Sequence, residues 1–153
     1  MPMTSGNSFG FLLADNARLF RQALEKSITE AGLGLTAGEI RALSYVARHD
    51  GSRQAVLADR MGVEPMTLSA YLDRLEARKL ITRTIDPTDR RAKVIHVTET
   101  AAAVFAELRP VVEKTMARAT QGVPAADLKR LDEIMILIRA NLTSDPALLY
   151  DKV

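Results

Sequence analysis

The sequence predicts a mainly helical chain with one small β-hairpin, an α+β protein, and three observations carry that expectation. Apolar residues recur at helical spacing along most of the 153 residues, the period drops to two only between about Ile81 and Val97, and glycine or proline marks each change. With 47% apolar and 26% charged residues, the chain has the balance of an ordinary globular protein, long enough for one core and a helical extension.

The first eight residues hold Pro, Ser, Gly and Asn without periodicity and read as a loose leader. From Phe9, apolar side chains at Leu12, Leu13, Leu19, Phe20, Ala23, Leu24 and Ile28 form one stripe, and Gly32 and Gly34 should end the helix near Ala31. At about 22 residues it would run about 33 Å, more than a small core needs, so it can serve an interface as well as packing. Thr36-Ala37-Gly38-Glu39 is a capping box: the threonine oxygen takes the amide three residues on and the glutamate reaches back. The helix it starts carries Ile40, Leu43, Val46 and Ala47 and stops at Asp50-Gly51. A short helix over about Gln54 to Met61 follows, with Val56, Leu57 and Met61 apolar and Gly62 at its end. Pro65, well suited to a first helical position, opens a third that runs to about Arg78, its buried stripe being Leu68, Leu75 and either Tyr71 or Leu72.

Ile81, Arg83 and Ile85 then alternate with Thr82 and Thr84, and Val94 to Val97 form a second β-branched run. The polar turn Asp86-Pro87-Thr88-Asp89-Arg90-Arg91 between them predicts a hairpin whose tip holds Arg90, Arg91 and Lys93. Helical spacing returns after Thr98 at Val104, Phe105, Leu108, Val111, Val112 and Met116, with Pro110 expected to bend the helix or mark its weak point. Gly122-Val123-Pro124 breaks the chain before a last helix with Leu128, Leu131, Ile134, Met135, Leu137, Ile138 and Leu142.

Composition excludes much. Without cysteine there is no disulfide, thiolate metal site, cysteine nucleophile or thiol switch. Apolar runs are too short to span a bilayer, and no basic stretch precedes an apolar core at the N-terminus, so a cytoplasmic protein is expected. An enzyme is not expected: His49 and His96 are the two histidines, and no glycine-rich phosphate loop, His-Glu-x-x-His or carboxylate dyad is present. No cofactor or metal is implied. The net charge of +2 is unevenly spread: Thr36 to Val97 holds 11 basic against 8 acidic residues, which leans the centre of the chain toward a polyanion.

Two short helices joined by Gly62-Val63-Glu64-Pro65, followed by a hairpin with a basic tip, make a winged helix-turn-helix. A helix about 10–12 Å across fits the DNA major groove, and its exposed N-terminal side chains reach base edges. Met66, Thr67, Ser69 and Ala70 are short or flexible enough for close approach: Thr67 and Ser69 can hydrogen-bond bases or phosphates, Met66 or Ala70 can touch a thymine methyl, and Arg74 can take guanine or phosphate. Arg90 and Arg91 on a narrow tip can enter the minor groove, with Asp86 and Asp89 holding their guanidinium groups in a fixed pose. The plainer readings are a polar solvent face and a surface salt-bridge cluster.

The run Leu57-Ala58-Asp59-Arg60-Met61-Gly62-Val63, then Thr67-Leu68-Ser69 through Leu72-Asp73-Arg74-Leu75-Glu76, then Asp86-Pro87-Thr88-Asp89-Arg90-Arg91 and Val97-Thr98-Glu99, resembles the multiple antibiotic resistance regulator (MarR) family, over about residues 36 to 99. The resemblance implies a homodimeric transcription factor in three parts: an N-terminal dimerisation helix (1–35), a winged DNA-binding domain (36–98) and C-terminal dimerisation helices (99–153). Such proteins bind pseudo-palindromic operators on double-stranded DNA and usually repress. Many release DNA when a small phenolic or other lipophilic anion binds. Carried onto this chain, Met66, Thr67, Ser69, Ala70 and Arg74 become the major-groove residues and Arg90 and Arg91 the wing residues. An effector cavity would be lined by aliphatics of the first, second and fifth helices, with Asn16, Ser44 and Tyr45 as its polar contacts. Three positions depart from the family pattern: Lys79 and Ala101 stand where glycine is frequent, and Glu64 replaces a serine-like cap. The competing reading is a winged-helix interaction module that does not bind DNA.

Overall fold

A computed structural model of the chain describes residues 8–149; the first seven residues of the expected leader, and residues 150–153, lie outside the described residues. The elements are α1 (Phe9–Ala31), α2 (Ala37–Arg48), β1 (Ser52–Arg53), α3 (Gln54–Met61), α4 (Pro65–Ala77), β2 (Ile81–Asp86), β3 (Asp89–Val97), α5 (Ala101–Ala119), α6 (Ala125–Leu142) and α7 (Pro146–Leu149). Two compact units divide between Thr115 and Met116.

In the first unit, α1 ends where Gly32 turns into the left-handed region at φ 62°, a conformation glycine adopts without a Cβ penalty. The α2 capping box is complete: the Glu39 amide donates to Thr36 Oγ1 at 3.2 Å and the Thr36 amide donates to Glu39 Oε2 at 3.1 Å. Leu68, Leu72 and Leu75 form the inward stripe of α4 and are fully buried with Leu43, Val46, Leu57, Ile81 and Ile95. Leu72 thus fills the position left open between it and Tyr71, which is half-buried. The Tyr71 ring lies against Gly38, where a Cβ would come within 2.5 Å of it.

The wing is a three-stranded antiparallel sheet of order β1-β3-β2 rather than a hairpin alone. The turn between β2 and β3 is Pro87-Thr88, shorter than the expected polar turn, so Arg90 and Arg91 belong to β3. Pairing is regular from Ile81↔Val97 to Ile85↔Lys93 and then jumps to Asp86↔Asp89, leaving Arg90 to Ala92 without partners on β2.

After α4 the chain closes a Schellman motif: the Leu80 amide donates to the Leu75 carbonyl at 3.0 Å and the Lys79 amide to the Glu76 carbonyl at 2.9 Å. Lys79 therefore sits at φ 60°, the only non-glycine with positive φ among the described residues. It takes the strained turn rather than lengthening the helix. Ala101, the other departure at a glycine position, starts α5 fully buried with no positive φ. α5 runs through Pro110 without a break.

In the second unit, α6 has no buried residue and leaves Leu131, Ile134, Met135, Ile136, Leu137 and Leu142 exposed. The short α7 has no counterpart in the sequence expectation. Among the described residues, no helix is long and apolar enough to cross a membrane.

Candidate nucleic-acid interface

Because Leu68, Leu72 and Leu75 face inward, the residues between them face out. Met66 is 86% exposed, Thr67 and Ala70 are exposed, and Ser69 is half-buried. Glu64 occupies the N-cap of α4 without a side-chain capping bond, its carbonyl accepting from the Leu68 amide at 3.1 Å, and Pro65 follows at the first helical position. Arg74, expected as a free reader of guanine or phosphate, instead donates from Nη1 to Glu39 Oε1 at 3.0 Å while the rest of its fork stays exposed. Glu39, only 6% exposed, thereby serves both the α2 cap and an exposed cation of α4.

The wing carboxylates act differently from the expectation. Asp86 does not hold Arg90 or Arg91. Its Oδ1 accepts from the Thr88 amide at 2.8 Å and the Thr88 hydroxyl at 2.7 Å, while Oδ2 accepts from Arg53 Nε at 2.7 Å. The Thr88 hydroxyl first, then the Thr88 amide and the Arg53 guanidinium, hold the Asp86 carboxyl down to about 2 despite partial desolvation. Asp89 accepts the Arg91 amide at 3.0 Å, a backbone contact rather than a guanidinium one. The cause is reach: a hairpin tip places short aspartates against its own amides before it places them against outward-pointing arginines. Arg90, Arg91 and Lys93 are exposed and engage in no side-chain hydrogen bond or ion pair among the described residues.

Arg83 is committed elsewhere, to Asp73 Oδ1 at 2.6 Å and Glu76 Oε1 at 3.0 Å, a clamp of β2 onto α4. Its hydrogen bond holds the Glu76 carboxyl below the ordinary range. Between α3, α4 and the wing lies a cleft of about 530 Å³ that brings Ser69 together with Arg91 and Lys93, and adds Arg53 and Gln54, which the sequence reading did not name. Met66, Thr67, Ala70, Arg74 and Arg90 are not among the residues lining it. No local signal marks Arg53, since its partners lie more than 30 residues away.

A second cavity, of about 380 Å³, is walled by Phe20, Leu24 and Ile28 of α1, Ile40, Ser44 and Tyr45 of α2, and Leu108 and Val112 of α5. This is the expected set of helices, but Asn16 is exposed and Ala17 lines the wall in its place. Ser44 Oγ donates to the Ile40 carbonyl at 2.9 Å. Two cations not anticipated, Arg21 and Arg41, border the cavity; Arg41 sits 5.7 Å over the Tyr45 ring and donates to the Met61 carbonyl at 2.6 Å. His96 Nδ1 lies 3.4 Å from Asp50 Oδ2 and His49 is buried beside Tyr45. Among the described residues, no cluster of three or more His, Asp or Glu could hold a metal ion.

Residues 33–92 match the MarR family. A MarR-family transcriptional regulator from Rhodococcus sp. RHA1 superposes with a TM-score of 0.74 at 26% identity, covering 89% of this chain and 95% of its own. One from Silicibacter pomeroyi gives 0.74 at 26% identity, over 90% and 91%. CouR from Rhodococcus jostii RHA1, solved bound to p-coumaroyl-CoA, gives 0.67 at 27% identity, over 87% and 92%. Residues 33–92 thus carry a winged module that matches the MarR family, and over 89% of its length the chain shares the fold of a MarR-family transcriptional regulator.

Proposed function

We propose that this protein is a cytoplasmic, homodimeric repressor that binds a pseudo-palindromic operator, reading the major groove with α4 and the adjoining minor groove with the wing. The observation that carries this reading is the cleft in which Ser69 of α4 meets Arg91 and Lys93 of β3, beside an α4 surface of Met66, Thr67 and Ala70 that buries nothing. Short side chains permit close approach to bases, and cations in the same cleft suit phosphates. Dimerisation is supported by the apolar residues left exposed, Phe9, Phe11, Leu12 and Leu19 on α1 and the row on α6. A two-fold dimer would place two copies of α4 about 34 Å apart, one turn of duplex.

Release by a lipophilic or phenolic anion is favoured by the cavity of about 380 Å³, apolar in its walls and bordered by Arg21 and Arg41. Ser44 and Tyr45 stay in that proposal and Asn16 leaves it. Saturating salicylate-like anions should raise the melting temperature and dissociate the DNA complex; if they do neither, these ligands are not effectors.

The decisive experiment is a gel shift on the gene's own upstream region at about 50 and 200 mM salt. Wild-type affinity should fall by orders of magnitude between them, and Arg91→Ala should weaken binding and flatten the slope by about two contacts per dimer. If neither salt nor Arg91→Ala changes retention, the chain is an interaction module.

A further inference from the structure

We propose that Arg53 is the residue that positions the wing, reaching from β1 to the hairpin turn and fixing the tip that carries Arg90 and Arg91. The third strand supports only the base of the wing, since β1 pairs solely at Ser52↔Ile95 and Arg53↔Val94. Beyond Val94 the hairpin is two-stranded, a construction of marginal stability on its own. Ladder bonds cannot order the tip either, because Arg90 to Ala92 have no partners on β2.

Arg53 supplies what pairing does not. It stands opposite Val94, which stands opposite Thr84, and the register shift between Ile85 and Asp86 lies just beyond that pair. The Arg53 side chain reaches past it to the turn. Its Nε donates to Asp86 Oδ2 at 2.7 Å and its Nη2 to Thr88 Oγ1 at 3.3 Å, while Thr88 returns its amide and hydroxyl to Asp86 Oδ1. Four hydrogen bonds thus close a ring around the turn, and Asp86 is left 8% exposed. Arg53 is also the N-cap of α3, a position where Ser, Thr, Asp or Asn would bond the helix amides and where its own side chain makes no such bond. The arginine is a poor cap whose side chain holds the wing to the start of a helix.

The consequence for DNA rests on the operator-binding reading; the consequence for the wing does not. Amide exchange is measured on the free full-length protein for wild type, Arg53→Ala, Arg53→Lys and Asp86→Asn. Arg53→Ala should speed exchange of the Thr88 and Arg91 amides about tenfold and leave the α4 amides unchanged, with Arg53→Lys intermediate because an ammonium can reach Asp86 without the fork. On operator DNA, Arg53→Ala should bind about tenfold more weakly, since a loose tip must be ordered on binding, with an unchanged slope of log affinity against log salt. Unchanged exchange at the tip overturns the proposal, and so does a flattened salt slope, which would make Arg53 a phosphate contact. If the wild type binds no DNA, the operator reading fails while exchange still decides what Arg53 does.

Discussion

Replacing Lys79 by glycine should stabilise the protein. Lys79 is held at φ 60° because the two Schellman bonds, from the Leu80 amide to Leu75 and from the Lys79 amide to Glu76, fix the turn. Leu80 behind it is buried in the core, and the Thr98 hydroxyl donates to the Lys79 carbonyl at 2.6 Å, so the chain cannot relax away. A side chain in the left-handed region costs about 1–2 kcal/mol through the contact of Cβ with its own carbonyl. Glycine removes that cost but gives back about 0.5–1 kcal/mol through its greater freedom when unfolded. The net gain is about 0.5–1 kcal/mol, a rise of about 2–4 °C in Tm per kcal/mol for a chain of this size. Urea unfolding at matched protomer concentration is the assay, with a raised midpoint and an unchanged m-value expected. Lys79→Ala is the control, because it loses the ammonium and keeps the Cβ. If glycine is no more stable than alanine here, the backbone carries no strain and the reasoning fails.

Other outcomes follow from the same contacts. Gly38→Ala should destabilise by about 1–3 kcal/mol by driving a methyl into the Tyr71 ring, and Tyr71→Ala in the same chain should remove most of that penalty in a double-mutant cycle of unfolding free energies. The Asp86 carboxyl, held at about 2 by Thr88 and Arg53, lies below its ordinary value of 3.8. Its contribution to wing stability is whole above about pH 4 and is lost as pH falls through about 2, so a carboxyl titration followed by NMR should show Asp86 protonating well below 3.8. Glu64→Ser should supply the missing cap of α4, raising stability by about 1 kcal/mol in urea, and should tighten DNA binding by removing an anion from the helix start.

What was legible in the sequence is what local chemistry decides. Gly32 and Gly62 ended α1 and α3 where expected, and Thr36 with Glu39 announced the start of α2. The strand β1 was not legible: its two residues cannot show alternation, and their pairing with Val94 and Ile95 is a long-range event. The long-range partners of Asp86 and Arg74 were missed for the same reason, since Arg53 and Glu39 come from other elements. Asn16 lies off the cavity wall by helical phase. The cavity wall of α1 runs through Ala17, Phe20, Arg21, Leu24 and Ile28, and a residue one step earlier points about 100° away.

The order β1-β3-β2 leaves two stretches of the wing with open hydrogen-bonding edges: the outer side of β2, and β3 between Asp89 and Lys93, where β1 has already ended. Bare edges invite other strands to add themselves, and lysine and arginine discourage this by repelling their own copies. Arg90, Arg91 and Lys93 stand on that stretch, so the cations suited to a polyanion also keep the protein from polymerising edge to edge. A neutralised wing would then tend to precipitate, and light scattering belongs beside every affinity measured on such a variant.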